Sequence, residues 1–198
     1  MQFLNRITVI SLVCVLSAAG NAFAGTSPET MIYKADKALA ADPNDAKAYY
    51  NRGTAHFNLG NYAEAEKDLT KAISIEPKAA DAYFNRGMTY RIQRRNDEAI
   101  RDFSSAIDLF KENWAYYYER CNARIVTEDY SGAIADGSEM IRLAPKESES
   151  HFMRGLASYL SGDLSAGLAD AERALELKNW HKGALRLRAE ILEKKQAG

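Results

Sequence analysis

Residues 46–87 read AKAYYNRGTAHFNLGNYAEAEKDLTKAISIEPKAADAYFNRG, and the closing ADAYFNRG repeats the pattern of the opening AKAYYNRG at a distance of 34 residues. The Arg-Gly pair occurs at Arg52-Gly53, Arg86-Gly87 and Arg154-Gly155, and as Arg120-Cys121 between them. Tyr49, Tyr83, Tyr117 and His151 stand three places before these arginines, and Asp68, Asp102, Asp136 and Asp170 sixteen places after. Four copies, 46–79, 80–113, 114–147 and 148–181, are therefore in register without an insertion. A fixed period of this length marks a stack of identical units, each of which buries its apolar face only against its neighbours.

Within each copy, apolar and small residues recur at helical spacing over two segments of about a dozen residues. The segments are divided by turns carrying Gly60-Asn61, Arg95-Asn96, Glu128-Asp129 or Gly162-Asp163. Each copy thus reads as a helical hairpin. Asn61, with Glu64 three places on, and Asp163 suit the N-cap of the second helix. Pro77 and Pro145 stop that helix, and Lys111 and Asn179 stand in their places elsewhere, so the second and fourth repeats are expected to end less sharply.

Gly53, Gly87, Cys121 and Gly155 on the first helix are small at one position, as are Ala65, Ala99, Ala133 and Gly167 on the second. Ala72, Ala106 and Ala174 continue the series, and together they let paired helix backbones approach closely. The order of large aromatic, Gly, Ala, Ala and Pro resembles the tetratricopeptide repeat, directly over residues 46–179. The resemblance implies an all-α, right-handed α-solenoid of helix-turn-helix units. Two partial units close it. Residues 28–45, with Ala35, Ala38 and Pro43 spaced like Leu69, Ala72 and Pro77, resemble a lone second helix capped by Ser27 with Pro28 at its first position. Residues 182–196, with Leu185, Arg188, Ala189, Ile191 and Leu192, resemble a lone first helix that caps the stack.

The N-terminus reads differently. A short start containing Arg6 is followed by an apolar stretch from Ile7 to about Ala19 and then Ala22-Phe23-Ala24, the pattern of a secretory signal cleaved after Ala24. The competing reading is an uncleaved anchor, for which the apolar stretch is short. Cleavage leaves residues 25–198 as the solenoid, an exported protein, periplasmic if the source is a bacterium with two membranes. Of 26 basic residues one, Arg6, is lost, against 27 acidic ones, so charge gives no case for nucleic-acid binding, and no direct membrane insertion of the mature chain is expected. With Cys14 removed, Cys121 cannot form an intramolecular disulfide.

The resemblance implies a concave groove formed by the first helices, where ligands lie. Carried over, the groove positions are Tyr50, Phe84, Tyr118 and Phe152 in one row, Asn51, Asn85, Glu119 and Met153 in the next, and Thr54, Met88, Asn122 and Leu156 in a third. The positions expected to contact ligand are Tyr50, Asn51, Phe84, Asn85, Met88, Tyr118, Asn122, Phe152 and Leu156. Some members of the family hold a C-terminal carboxylate with basic and amide residues on three successive first helices. The matching places here carry Tyr50, Thr54, Asn85, Ala115 and Glu119, so the asparagine alone fits. Trp114, Tyr116, Tyr117 and Tyr118 form a dense aromatic run, with Tyr117 in a packing slot and Trp114 and Tyr116 open to either packing or contact.

Arg52, Arg86, Arg120 and Arg154 suggest an anion ladder, but four aspartates at the same period offer each a partner, which favours structural pairing. Arg91, Arg94, Arg95 and Arg101 read as a solvated turn. Cys121 replaces a glycine at a helix contact and reads as a small buried group, and His56 and His151 replace tyrosines. There is no paired cysteine motif, His-x-x-x-His helix, Gly-rich phosphate loop or nucleophile elbow, so no metal, cofactor or catalytic residue is expected. The function read from the sequence is a non-catalytic scaffold or adaptor for a protein or peptide segment, as a monomer or weak homo-oligomer. The alternatives are a self-assembling structural protein using its end helices or the Trp114 cluster, and, remotely, a hydrolase or enzyme subunit using Cys121.

Overall fold

The computed structural model describes residues 26–197, so the expected signal segment lies outside the described residues. Ten α-helices account for the regular structure there: α1 Pro28–Ala41, α2 Ala46–Asn58, α3 Tyr62–Ile75, α4 Ala80–Ile92, α5 Asn96–Leu109, α6 Trp114–Val126, α7 Tyr130–Leu143, α8 Ser148–Leu160, α9 Leu164–Leu177 and α10 Lys182–Gln196. The chain is an all-α helical repeat solenoid. Every helix packs on the one before and the one after. First helices also touch across one repeat, α2 on α4, α4 on α6, α6 on α8 and α8 on α10, whereas the second helices do not meet one another. The closer row is the inner one, so the stack curves with α2, α4, α6, α8 and α10 on its concave side.

Local chemistry sets the helix ends. Ser27 accepts the Thr30 N–H at 3.3 Å with Pro28 at the first turn, Asp129 accepts from Gly132, and Asp163 accepts from Ser165 and Ala166. Asn61 stands at the N-cap of α3 but makes no side-chain cap bond, which corrects its expected role. The ends of the second helices also differ from expectation. Helices α3, α5, α7 and α9 are all 14 residues long, with or without proline after them. Each packs against the next first helix, and in each the residue after the last turn donates its N–H to the carbonyl of the alanine or methionine four places back.

Volume is traded across each hairpin. A Cβ on Gly87 would lie 2.7 Å from the Phe103 ring, so the first helix must be bare where the second carries a large side chain. In the third repeat the two exchange: Cys121, fully buried, fills the glycine position, and Gly137 takes the position of Leu69 and Phe103. Cys121 donates its S–H to the Ala133 carbonyl at 3.4 Å. A Cβ on Gly137 would in turn lie 2.7 Å from Arg154 Cβ, so that cleared volume is used by the following repeat.

Each periodic arginine joins three helices. Arg52, Arg86, Arg120 and Arg154 grip Asp68, Asp102, Asp136 and Asp170 of their own hairpins through Nε and Nη2. Their Nη1 groups reach back one repeat, to Asp36, Thr70, Ser104 and Ser138. The aspartates are at most 7% exposed. All four arginines are therefore structural: the period offers each an aspartate, the structure places that aspartate within the same hairpin, and the bond to the preceding repeat comes in addition.

Candidate functional site

The inner helices carry a lengthwise row of half-buried aromatics, Tyr50, Phe84, Tyr118 and Phe152, one at the same place in each repeat. The row lines the concave side because those helices are the ones in mutual contact. Tyr118 stacks on Trp114 with centroids 4.9 Å apart and planes 14° from parallel. Phe84 leans on Phe103 at 5.7 Å and on Tyr116 at 4.9 Å, so one edge of it belongs to the core. Phe152 faces the His181 ring at 4.9 Å, at the junction with α10.

Polar groups of the groove are bonded to one another. Asn85 Nδ2 donates to Tyr50 Oη at 3.2 Å and to Thr54 Oγ1 at 3.0 Å. Asn122 turns its amide onto the Tyr118 carbonyl at 3.1 Å, one turn back along its own helix. Tyr116 Oη donates to Asp81 at 2.6 Å, and Trp114 Nε1 to Ser150 Oγ at 2.8 Å, so both residues bridge to a neighbouring repeat. Sequence reading missed these bridges. Their signal is a separation of 35 or 36 residues, one repeat plus one or two places.

Asn51 and Lys47 border a cavity of about 170 Å³ at the N-terminal end, lined on the other side by Met31, Lys34, Ala35 and Ala38 of α1. Met88 and Leu156 are placed differently from the expectation that they contact ligand. They are 4% and 7% exposed, Met88 packed with Phe103 and Ala123, Leu156 within the C-terminal core. Both side chains lie in the packed interior, whereas Asn122, at the same place in its own helix, stays half-buried. Met153 and Ile125 are buried too, so neither adds apolar surface to the C-terminal half of the groove. The Trp114 run is likewise no sticky surface, since Tyr116 is 2% and Tyr117 6% exposed and Trp114 is spent on Tyr118 and Ser150.

Electrostatics follow from burial. Burial first, and then the hydrogen bond to Asp81, pushes the Tyr116 phenol up. Burial, with the Glu149 charge adding to it, pushes Tyr118 up to about 12. Burial also raises the Glu119 carboxyl, opposed by Arg91, whose Nε lies 3.0 Å from Glu119 Oε2. Arg95 pairs with Glu66 and Glu98 and stacks over Tyr90 at 4.2 Å, so two of the four arginines around that turn are occupied internally. Burial holds the Cys121 thiol far above its ordinary range, the opposite of a nucleophile's need.

The profile of the tetratricopeptide repeat family matches residues 46–79 and 80–113, the first two repeats. Solved structures share the fold over more of the chain. The crystal structure of MamA gives a TM-score of 0.73 at 22% identity, over 77% of this chain and 89% of that one. YrrB, described as a TPR protein with an unusual peptide-binding site, gives 0.76 at 18% identity, over 82% and 84%. The first TPR of Spaghetti (RPAP3), bound to the HSP90 peptide SRMEEVD, gives 0.56 at 24% identity, over 60% and 94%. At these identities the likeness is one of fold. Comparison with curated proteins gives no significant match.

Proposed function

We infer that the chain, a tetratricopeptide repeat protein, is a non-catalytic scaffold or adaptor that holds a peptide or protein segment in its concave groove. The observation that carries this is the row Tyr50, Phe84, Tyr118 and Phe152, one partly exposed aromatic per repeat on helices that touch directly. Aromatics on a rigid, preformed surface are favoured anchors because little rotamer freedom is lost when they are covered. Two structural neighbours support it, one solved with a peptide and one described by its peptide-binding site. Tyr118 and Phe152 anchor the segment, and Asn51 at the N-terminal end supplies a polar contact. Micromolar affinity, about −8 kcal/mol, suffices for an adaptor.

The N-terminal pattern supports export, with the mature chain starting at Gly25, and a periplasmic site in a bacterium with two membranes. Sequencing the N-terminus of the protein recovered from the exported fraction tests this, and an intact Met1 would refute it. The groove is tested by affinity capture from that fraction. A partner taken by the protein and lost from a folded Tyr118→Ala, Phe152→Ala double variant supports the reading, and a partner retained by both moves binding off the groove.

A second reading, self-association, is favoured by one observation: Leu185 and Leu192 on α10 are 41% and 40% exposed on the face where a second helix would pack. Light scattering that gives the monomer mass at every concentration would remove it.

A further inference from the structure

Resting on the groove reading above and deepening it, we propose that the segment held there is cationic, its lysine or arginine side chains seated against Asp81 and Glu149 between the aromatic faces of the inner helices. Asp81 and Glu149 occupy the same place, the second residue, of α4 and α8. Each is held by a neutral donor. Asp81 accepts the Tyr116 hydroxyl at 2.6 Å. Glu149 Oε2 lies 2.9 Å from His181 Nε2, and His181 Nδ1 accepts the Ala184 N–H at 3.0 Å, so the ring proton is on Nε2 and the imidazole is uncharged. Neither of these donors is a lysine or an arginine. Asp81 is exposed, and the Glu149 side chain is 35% exposed.

Aromatic rings stand beside each carboxylate. Tyr50 lies within the field of Asp81, and Tyr118, stacked on Trp114, within that of Glu149. An ammonium or guanidinium gains from both partners at once, charge from the carboxylate and quadrupole from the ring face. Arg91, between the two carboxylates, is taken up by the buried Glu119, its Nε 3.0 Å from Oε2. Lys47 sits apart at the N-terminal end. An acidic segment finds no free amide at Asn85, which is occupied by Tyr50 and Thr54, and it would face the carboxylates of Asp81 and Glu149.

The test is selection from a displayed library of random peptides on three immobilised proteins: the unaltered protein, a Tyr118→Ala, Phe152→Ala variant, and an Asp81→Asn, Glu149→Gln variant that keeps both hydrogen bonds. Folding of each is checked by circular dichroism. The expected result is enrichment of lysine- and arginine-bearing peptides with apolar neighbours, lost from both variants. Replacing the basic residues of a selected peptide by glutamine should weaken it about tenfold, and more at low salt. Neutral or acidic peptides that still depend on Tyr118 and Phe152 would overturn the charge assignment and leave the groove reading standing. Basic peptides bound equally by the Asp81→Asn, Glu149→Gln variant would overturn it too. No peptide that depends on Tyr118 and Phe152 would overturn both readings.

Discussion

Arg86 holds Asp102 through two parallel hydrogen bonds, Nε at 2.7 Å and Nη2 at 2.8 Å, while its Nη1 reaches Thr70 of the preceding repeat at 3.1 Å. Asp102 is 5% exposed, so its charge is tolerated in the interior only because the guanidinium matches it. Asp102→Ala leaves Arg86 without that partner and is expected to cost about 3–5 kcal/mol. Thr70→Ala, at an exposed end of the same group, should cost under about 1 kcal/mol. Urea unfolding of the two variants gives the comparison, and equal losses would show that the ion pair does not dominate.

Arg94 and Glu128 both have φ of 63°, at the turn position that Gly60 and Gly162 occupy in the other repeats. A side chain in the left-handed region costs roughly 1 kcal/mol relative to glycine. Both residues are exposed, so nothing else is lost on truncation. Arg94→Gly and Glu128→Gly should each raise the urea midpoint, and a lowered midpoint would mean that these side chains make contacts worth more than the strain.

Alkaline unfolding should be led by buried phenols. The Tyr118 phenol is pushed up to about 12 by burial and by Glu149. An unfolded tyrosine ionises near pH 10. The folded chain therefore holds a proton that the unfolded chain releases, so this stability is complete below about pH 10 and is lost as pH climbs toward the folded value. Tyr118→Phe should flatten the fall in stability over that window, as read by circular dichroism and phenolate absorbance together. An unchanged slope would assign the effect to other tyrosines, Tyr116 first.

Cys121 is fully buried and hydrogen-bonded to Ala133, with a thiol pushed far up by burial. In a chain beginning at Gly25 it is the one thiol, so labelling is unambiguous. A thiol reagent should react with it only at the rate of unfolding, and adding denaturant should release the reaction. Rapid labelling of the folded chain would reopen the hydrolase reading.

The architecture was legible because a repeat writes each packing rule several times. Bare positions at Gly53 and Gly87 and the arginine–aspartate spacing set the hairpins before any contact was known. The groove was less legible for a reason of geometry. Met88 shares its repeat position with Asn122, yet one is buried in the packed interior and the other is half-exposed, and periodicity assigns both the same place. Cross-repeat bonds such as Asp81 to Tyr116 fall one residue off the period and so vanish in a search for equivalent positions. Glu149 and His181 were hidden similarly, since the imidazole acts through its place at the start of α10 rather than through any motif.

Cys121 and Gly137 exchange the volumes that Gly87 and Phe103 hold elsewhere, so neither helix of the third repeat is interchangeable alone with its counterpart in the second. Moving α5 into the place of α7 would set a phenyl ring against a sulfur; moving α7 into the place of α5 would leave a void opposite Gly87. A whole hairpin carries this complement with it, and the contact that Gly137 makes beyond its hairpin is with Arg154, an arginine present at that place in every repeat. For anyone recombining such proteins, or tracing how a chain like this one lengthened, the natural cutting points are the loops between hairpins, and the turn inside a hairpin is where a seam would fail.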